Sequence, residues 1–378
     1  MKAQQLIWKN YAWTGLRDDL SGAQLVILFA SREALEDRRC IDQLRTHFNN
    51  AEIVGCSTGG NIAGGDVSDD FAAALAMKFD RAKLQVATEE ITNPNESFDV
   101  GVRLALALQA PQLRSILVLS DGLCVNGSRL IEGMRSAVGN EIVLTGGLAG
   151  DGAAFNKTVV AANGIVASGR VTAVGFYGAE VVIGHGCAGG WDAFGPRRTI
   201  TASEGNTLYS LDGKPALDLY KRYLGADAAG LPGTALLYPL TIVNPEQPDQ
   251  SMVRTVLAVD HERGTMTFAG DIPQGWSAQL MRGHFDNLSA GAAEAARSAS
   301  IQTHSPQSEV AAVLISCIGR RLLMGESIVD EIDAATKELG DAQVIGFYSY
   351  GEISPHAATG CCELHNQTMT VTTFAEAW

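Results

Sequence analysis

One pattern limits what this chain can fold into more than any other: a short apolar run, a helix-patterned stretch and a second apolar run ending in glycines occur three times in the same order. The first copy is QLVILFA (24–30), EALEDRRCIDQLRTHF (33–48) and AEIVGCSTGGNI (51–62). The second is RSILVLS (114–120), SRLIEGMRSAV (128–138) and EIVLTGGLAGDG (141–152), and the third is VAAVLIS (310–316), SIVDEIDAATKELG (327–340) and AQVIGFYSYGEI (342–353). Leu25 to Gly55 is 30 residues, Ile116 to Gly146 is 30, and Ala312 to Gly346 is 34. Each copy has the strand, crossover helix and strand of a parallel βαβ unit. The expected fold is α/β, with mixed sheets built from repeated strand-helix-strand units with antiparallel additions, in two lobes.

The additions read from alternation. FAAALAMKF (71–79) and KLQVATEEI (83–91) are expected to form one pair, and TVVAANGIVASG, RVTAVGFYG and EVVIGHGCAG (158–189) a further group, with a hairpin at Asn163-Gly164. ELHNQTMTVTTF (363–374) alternates in the same way. Between the second and third copies, LDGKPALDLYKRYLG (211–225) reads as a helix docked by Leu217, Tyr220 and Leu224; strands over 234–243, 252–260 and 264–272 follow, then a small-residue helix over 284–300. The linker-like composition near 225–232 divides the chain into 1–228 and 229–378.

Charge and cysteine usage remove several function classes. A formal net charge of −14 repels phosphate backbones and anionic lipid, so nucleic acid and membrane are not expected partners. Seven cysteines without a CxxC pair fit neither a disulfide framework nor a structural zinc site. The amino terminus MKAQQLIWKN lacks the apolar run of a signal peptide, and no stretch approaches the roughly 20 apolar residues of a membrane span. A cytoplasmic location with reduced thiols is the expectation.

Chemistry-bearing candidates gather at the glycine turns. Cys56 and Ser57 sit in GCSTGG (55–60), where a thiol at a strand end could be a nucleophile, a ligand contact or a buried core group. Gly147 and Asp151 lie in GGLAGDG (146–152), whose backbone N–H groups could meet an anion, although no Lys-Ser/Thr follows as in a P-loop. Tyr348, Ser349, Tyr350, Gly351 and Glu352 make the densest polar-aromatic cluster, and His365 and Asn366 open the last alternating strand. Glu352 could bind a ligand amine or hydrogen-bond the adjoining loop. The histidines at 47, 261 and 304 are isolated, and His356 and His365 do not have an HxxxH spacing. A single axial haem ligand leaves almost no trace in sequence, and His185 and His284 are the best placed to supply one.

VGCSTGGNI, TGGLAGDGAAF, ISCIGRR, IGFYSYGEI and LHNQT, with GGWDAFGPRRTITASEGN and LDGKPALDLYKRYLG between them, resemble the FIST family from about Gln24 to Phe374. The resemblance implies an intracellular sensory domain that takes a small ligand and signals through protein contact, not an enzyme. It extends the candidate ligand-binding set to Cys317, Arg320, Gly351, Glu352, His365 and Asn366. The length leaves little room for an output domain, as in stand-alone members. Some of those are haem-binding nitric-oxide sensors that regulate a partner histidine kinase, which makes haem the alternative cofactor. A Cys-dependent enzyme using Cys56 or Cys317 is the third alternative. Ligand identity and oligomeric state are not legible.

Overall fold

A computed structural model describes residues 1–248, 251–301 and 308–377; His304 lies outside them. The three copies fold as three units. Unit 1 runs β1 (Lys2–Lys9), β2 (Ala12–Thr14), β3 (Leu25–Ala30), α1 (Arg32–Asp37), α2 (Arg39–His47), β4 (Glu52–Ser57), a hairpin of β5 (Asn61–Ala63) and β6 (Asp66–Ser68), and β7 (Ala72–Lys78). Unit 2 runs β8 (Lys83–Glu90), α3 (Ser97–Leu108), β9 (Leu113–Ser120), α4 (Gly127–Val138), β10 (Val143–Leu148), a hairpin of β11 (Val160–Ala162) and β12 (Ile165–Ala167), and β13 (Arg170–Tyr177).

Unit 3 opens with β14 (Val181–Ala188) and is then interrupted by an insertion. The insertion holds β15 (Trp191–Glu204), β16 (Thr207–Leu211), β17 (Lys214–Pro215), α5 (Ala216–Leu224), β18 (Leu240–Val243), β19 (Ser251–Arg254), β20 (Val256–Asp260), β21 (Thr265–Phe268) and β22 (Ser277–Gly283). Unit 3 resumes with α6 (Phe285–Ala299), β23 (Ala311–Cys317), α7 (Ile318–Met324), α8 (Ile328–Leu339), β24 (Gln343–Ser349), a hairpin of β25 (Gly351–Pro355) and β26 (Cys362–His365), and β27 (Met369–Glu376).

In every unit the two apolar runs pair in parallel: β3 with β4, β9 with β10, β23 with β24. The returning strand β7, β13 or β27 lies antiparallel on the far side of the first run. The hairpins leave their own units: β5–β6 extends from β24, β11–β12 from β4, and β25–β26 from β10. The sheets therefore share one strand order, β12-β11-β4-β3-β7-β1 (with β2 added), β26-β25-β10-β9-β13-β8 and β6-β5-β24-β23-β27-β14. The body is pseudo-threefold, and its units are interlocked because each hairpin completes another unit's sheet.

This exchange overturns one expected pairing. β7 and β8 are not partners: β1 takes the free side of β7, and β8 pairs with β13 in the next sheet. The turn between them is drawn away by the Glu376 carboxylate, which accepts from the backbone N–H groups of Asp80, Arg81 and Ala82. The strands of 158–189 likewise divide among three sheets, while Asn163-Gly164 makes the expected two-residue hairpin with φ of 50° and 85°. The helix expected over 33–48 is two helices, broken at Arg38, whose φ is 69°.

The centre of the body is apolar and is drawn from all three sheets. Phe29 packs on Phe347 at 4.5 Å between ring centroids, and Phe176 on Phe374 at 5.0 Å, with Cys56, Leu119 and Ile315 around them. The insertion folds as a second lobe with a core of its own. There Leu217, Tyr220 and Leu224 of α5 are buried against Ile200, Leu208 and Phe268, as the apolar face of that helix predicts. Among the described residues no helix is long and apolar enough to cross a membrane.

Candidate functional site

The glycine turns do converge, but on one another. Gly150 N–H donates to Ser57 O (2.9 Å), Tyr350 N–H to Leu148 O (3.1 Å), and Gly59 N–H to Tyr348 O (2.7 Å). These are threefold-equivalent positions, so the three strand ends close a ring of backbone hydrogen bonds around the pseudo-axis. The glycines beneath are there for close approach: a Cβ at Gly55, Gly146 or Gly346 would lie 2.1, 1.9 or 2.1 Å from the carbonyl oxygen of Leu28, Val118 or Leu314. Cys56 and Ser57 belong to this closed centre, as does Gly147. Burial pushes the Cys56 thiol up, and the Cys317 thiol also, so neither is poised as a thiolate.

A second group of candidates forms the root of the inserted lobe. Arg320 is fully buried and pairs with the equally buried Glu331 at 2.9 Å, while Ser316 Oγ donates to the other Glu331 oxygen at 2.6 Å. The remaining guanidinium hydrogens go to Gly189 O and Gln367 O, and to Leu288 O at 2.8 Å. Gly189 and Leu288 flank the insertion, so one cation fastens both of its ends to the body. Gln367, held at φ 62°, accepts from Trp191 Nε1 (2.7 Å) and donates through Nε2 to Leu236 O of the lobe (2.9 Å). Cys317 occupies the N-cap of α7 just before Arg320. Neighbouring Asn366 is fully buried, and neither its Oδ1 nor its Nδ2 has a partner. The Tyr348 hydroxyl is also buried without one.

Glu352 and His365 face each other across β25 and β26. Burial raises Glu352 to about 8, against hydrogen bonds from Ser349 Oγ (2.6 Å) and from Thr368 N–H and Oγ (3.2 and 2.9 Å). Burial lowers His365 to about 4, with its Nε2 2.9 Å from Ser354 O. The threefold counterpart of Glu352 is Asn61, which accepts from Thr58 Oγ1 at 2.8 Å just as Glu352 accepts from Ser349. Glu352 thus takes the place of an amide in an interior hydrogen-bonding position. Gly351, beside it on β25, packs its backbone against Leu364.

An open cleft lies elsewhere, between the strand ends of β9 and β10 and the inserted lobe. This cleft has a volume of about 620 Å³. Its body side is Leu123, Asn126 at the start of α4, Asn95, Leu148, Phe155 and Tyr350; its lobe side includes Glu204, Asn206, Leu257 and Asp271. Ligands of open α/β sheets bind beyond strand carboxyl ends, which is where this cleft sits.

Tyr350 and Phe155 stack with centroids 4.4 Å apart and planes 12° apart. The Tyr350 hydroxyl donates to the Asp151 carboxylate, lies 2.9 Å from Gly152 O, and accepts from the N–H groups of Asp151 (3.2 Å) and Phe155 (3.3 Å). Burial opposes ionisation of Asp151, but the Lys157 N–H, the Tyr350 hydroxyl and the Asn156 N–H hold it below the usual carboxylate range.

Of the candidates read from sequence, Tyr350 lines the cleft, and Asp151 stands behind it as acceptor of the Tyr350 hydroxyl. His185 is half-buried on β14, opposite Thr372, and burial lowers it; His284 is exposed, 3.9 Å from Asp192. The two are on separate elements and neither borders the cleft. Among the described residues no three His, Cys, Asp or Glu side chains are placed to share a metal ion. Sequence reading missed Phe155, Leu123, Asn126, Leu257 and Asp271. Phe155 closes TGGLAGDGAAF and Tyr350 lies in YSYGE, so part of the wall was in view as motif without a role.

Fold and site together define a two-lobed α/β protein with a pseudo-threefold body and a cleft under an inserted lobe. The chain belongs to the FIST family: the FIST N domain model matches residues 24–214 and the FIST C domain model residues 216–355. FIST domains are generally sensory, ligand-binding parts of signalling proteins. No curated protein matches the chain. Among solved structures it is similar to a cyanuric acid hydrolase from A. caulinodans, with 8% identity, 95% of this chain and 91% of that one covered, and a TM-score of 0.34, a likeness too loose to carry an argument.

Proposed function

We propose that this protein is an intracellular sensor that takes a small ligand into the cleft between body and lobe and signals the occupancy through a protein contact. The observation that carries the reading is the composition of the cleft walls. One wall is body and the other is lobe, so a bound molecule touches both and shifts their relative position by whatever differential affinity it has. The lobe's attachment at Arg320 and Gln367 gives such a shift a root to act about. A haem-dependent reading, with nitric oxide as signal and a histidine kinase as partner, draws no support from the cleft, which no histidine lines.

A thermal-shift screen of metabolites tests the proposal. A ligand at 100 times its dissociation constant should add about 2.7 kcal/mol of stability, and Leu257→Asp should abolish the gain. Stabilisation that survives this substitution would place binding elsewhere.

A further inference from the structure

Resting on the cleft as the ligand site, the chemistry of its walls specifies what it takes. On the body side the aromatic step is preorganised. Phe155 holds a left-handed φ of 48°, which a bulky residue rarely adopts, and it is kept there by its stack on Tyr350 and by the hydrogen bond from its own N–H to the Tyr350 hydroxyl. Two large aliphatic side chains also border the same space from opposite walls, Leu123 at 37% exposure and Leu257 at 39%. Apolar side chains in one depression, together with an aromatic ledge, fit a flat apolar body.

The polar groups fit donors on its edge. Asp271 accepts from Asn126 Nδ2 with one carboxylate oxygen (2.9 Å), and its other oxygen has no protein partner among the described residues. Asn206 directs Nδ2 to Phe268 O (2.8 Å), its Oδ1 has no partner among the described residues, and Glu204 stands beside it. The lobe wall is therefore a row of acceptors. Arg129, which also lines the cleft, is already paired with Glu132. Two carboxylates and a chain charge of −14 disfavour an anion.

We propose that the cleft binds a planar heteroaromatic molecule of one or two rings carrying amino or ring N–H donors, neutral or cationic. Its face lies against the Phe155–Tyr350 step and the two leucines. Its donors meet Asp271 and Asn206, so that the ring is read by the body and the donor edge by the lobe.

Isothermal titration of the full chain with six probes tests this: adenine and cytosine, their carbonyl counterparts hypoxanthine and uracil, and the aliphatic zwitterions glutamine and arginine. Adenine or cytosine should bind about tenfold more tightly than its carbonyl counterpart, because a ligand that brings fewer donors leaves acceptors of the lobe wall unpaired. Asp271→Asn should erase that preference, and Phe155→Leu should weaken binding about two- to tenfold. Unliganded melting of each variant shows that the fold is kept. If glutamine or arginine binds instead and Leu257→Asp abolishes it, the cleft remains the sensor site and the ligand class is wrong. If none of the six binds, or if binding ignores all three substitutions, both the class and the cleft reading fall.

Discussion

The pseudo-axis and the cleft are both built from strand ends and glycine turns, yet they are opposites. At the axis three turns hydrogen-bond to one another, the interior is filled by phenylalanines from all three sheets, and a methyl group has nowhere to go. At the cleft the unit 2 ends also border a lobe, and carboxylates, amides and leucines are left facing space. What separates them is what lies opposite. A strand end facing an equivalent turn closes by backbone hydrogen bonding, and one facing an inserted lobe stays open to a ligand.

A matched pair of glycines would break this contrast most sharply. Gly146→Ala puts a Cβ 1.9 Å from Val118 O at φ 134° and should cost more than about 4 kcal/mol or prevent folding. Gly205, on the cleft at φ 53° with nothing within 4 Å of a Cβ, should lose only about 1–2 kcal/mol on the same change, the cost of the left-handed backbone. Urea unfolding of both reads the difference, and equal losses would mean that the two regions are not distinct.

The lobe root comes next. Arg320→Met leaves Glu331 buried without its cation and should cost about 3–5 kcal/mol, with Glu331→Gln added in the same chain recovering part of it. A loss of that size from a position that does not line the cleft would confirm the root as structure.

Smaller, and dependent on pH, is the Glu352–His365 pair. Glu352 has its folded pKa raised from 4.5 to about 8, so its contribution is fully present below pH 4.5 and is lost as pH rises through about 8. His365 is lowered from 6.5 to about 4, so its contribution is present above pH 6.5 and is lost as pH falls through about 4. The two oppose each other from pH 4.5 to 6.5, leaving Glu352 alone to lower the melting temperature between pH 6.5 and 8. Glu352→Gln, which imitates the amide at Asn61, should fold and flatten that decline; an unchanged slope would mean that another group sets it.

The least effect on stability belongs to the cleft. Leu257→Ser should stay within about 0.5 kcal/mol of the parent by urea unfolding, because this side chain is exposed and lies outside the lobe core. A larger loss would show that the leucine supports the lobe and is not available to a ligand.

Much of the body was legible in sequence because its signals are local. Apolar runs, helical periodicity and terminal glycines gave the three βαβ units, and Asn163-Gly164 gave its hairpin by turn chemistry alone. Pairing across units was not legible. The alternation of 71–79 and 83–91 says that each is a half-buried strand but not which sheet receives it, and β8 went to β13. Candidate residues suffered the same limit. Arg320 and Glu352 stand out as polar groups near glycines, and nothing in the chain says that each is hydrogen-bonded in the interior.

The sequence alone determined three units and a strongly acidic chain, since backbone preference and net charge do not depend on neighbours distant in the chain. Only the tertiary structure decided that the turns seal each other and that the opening lies beneath the insertion. Both depend on which surfaces meet: Phe155 and Leu257 are separated by about a hundred residues in the chain, and only folding makes them two walls of one cleft.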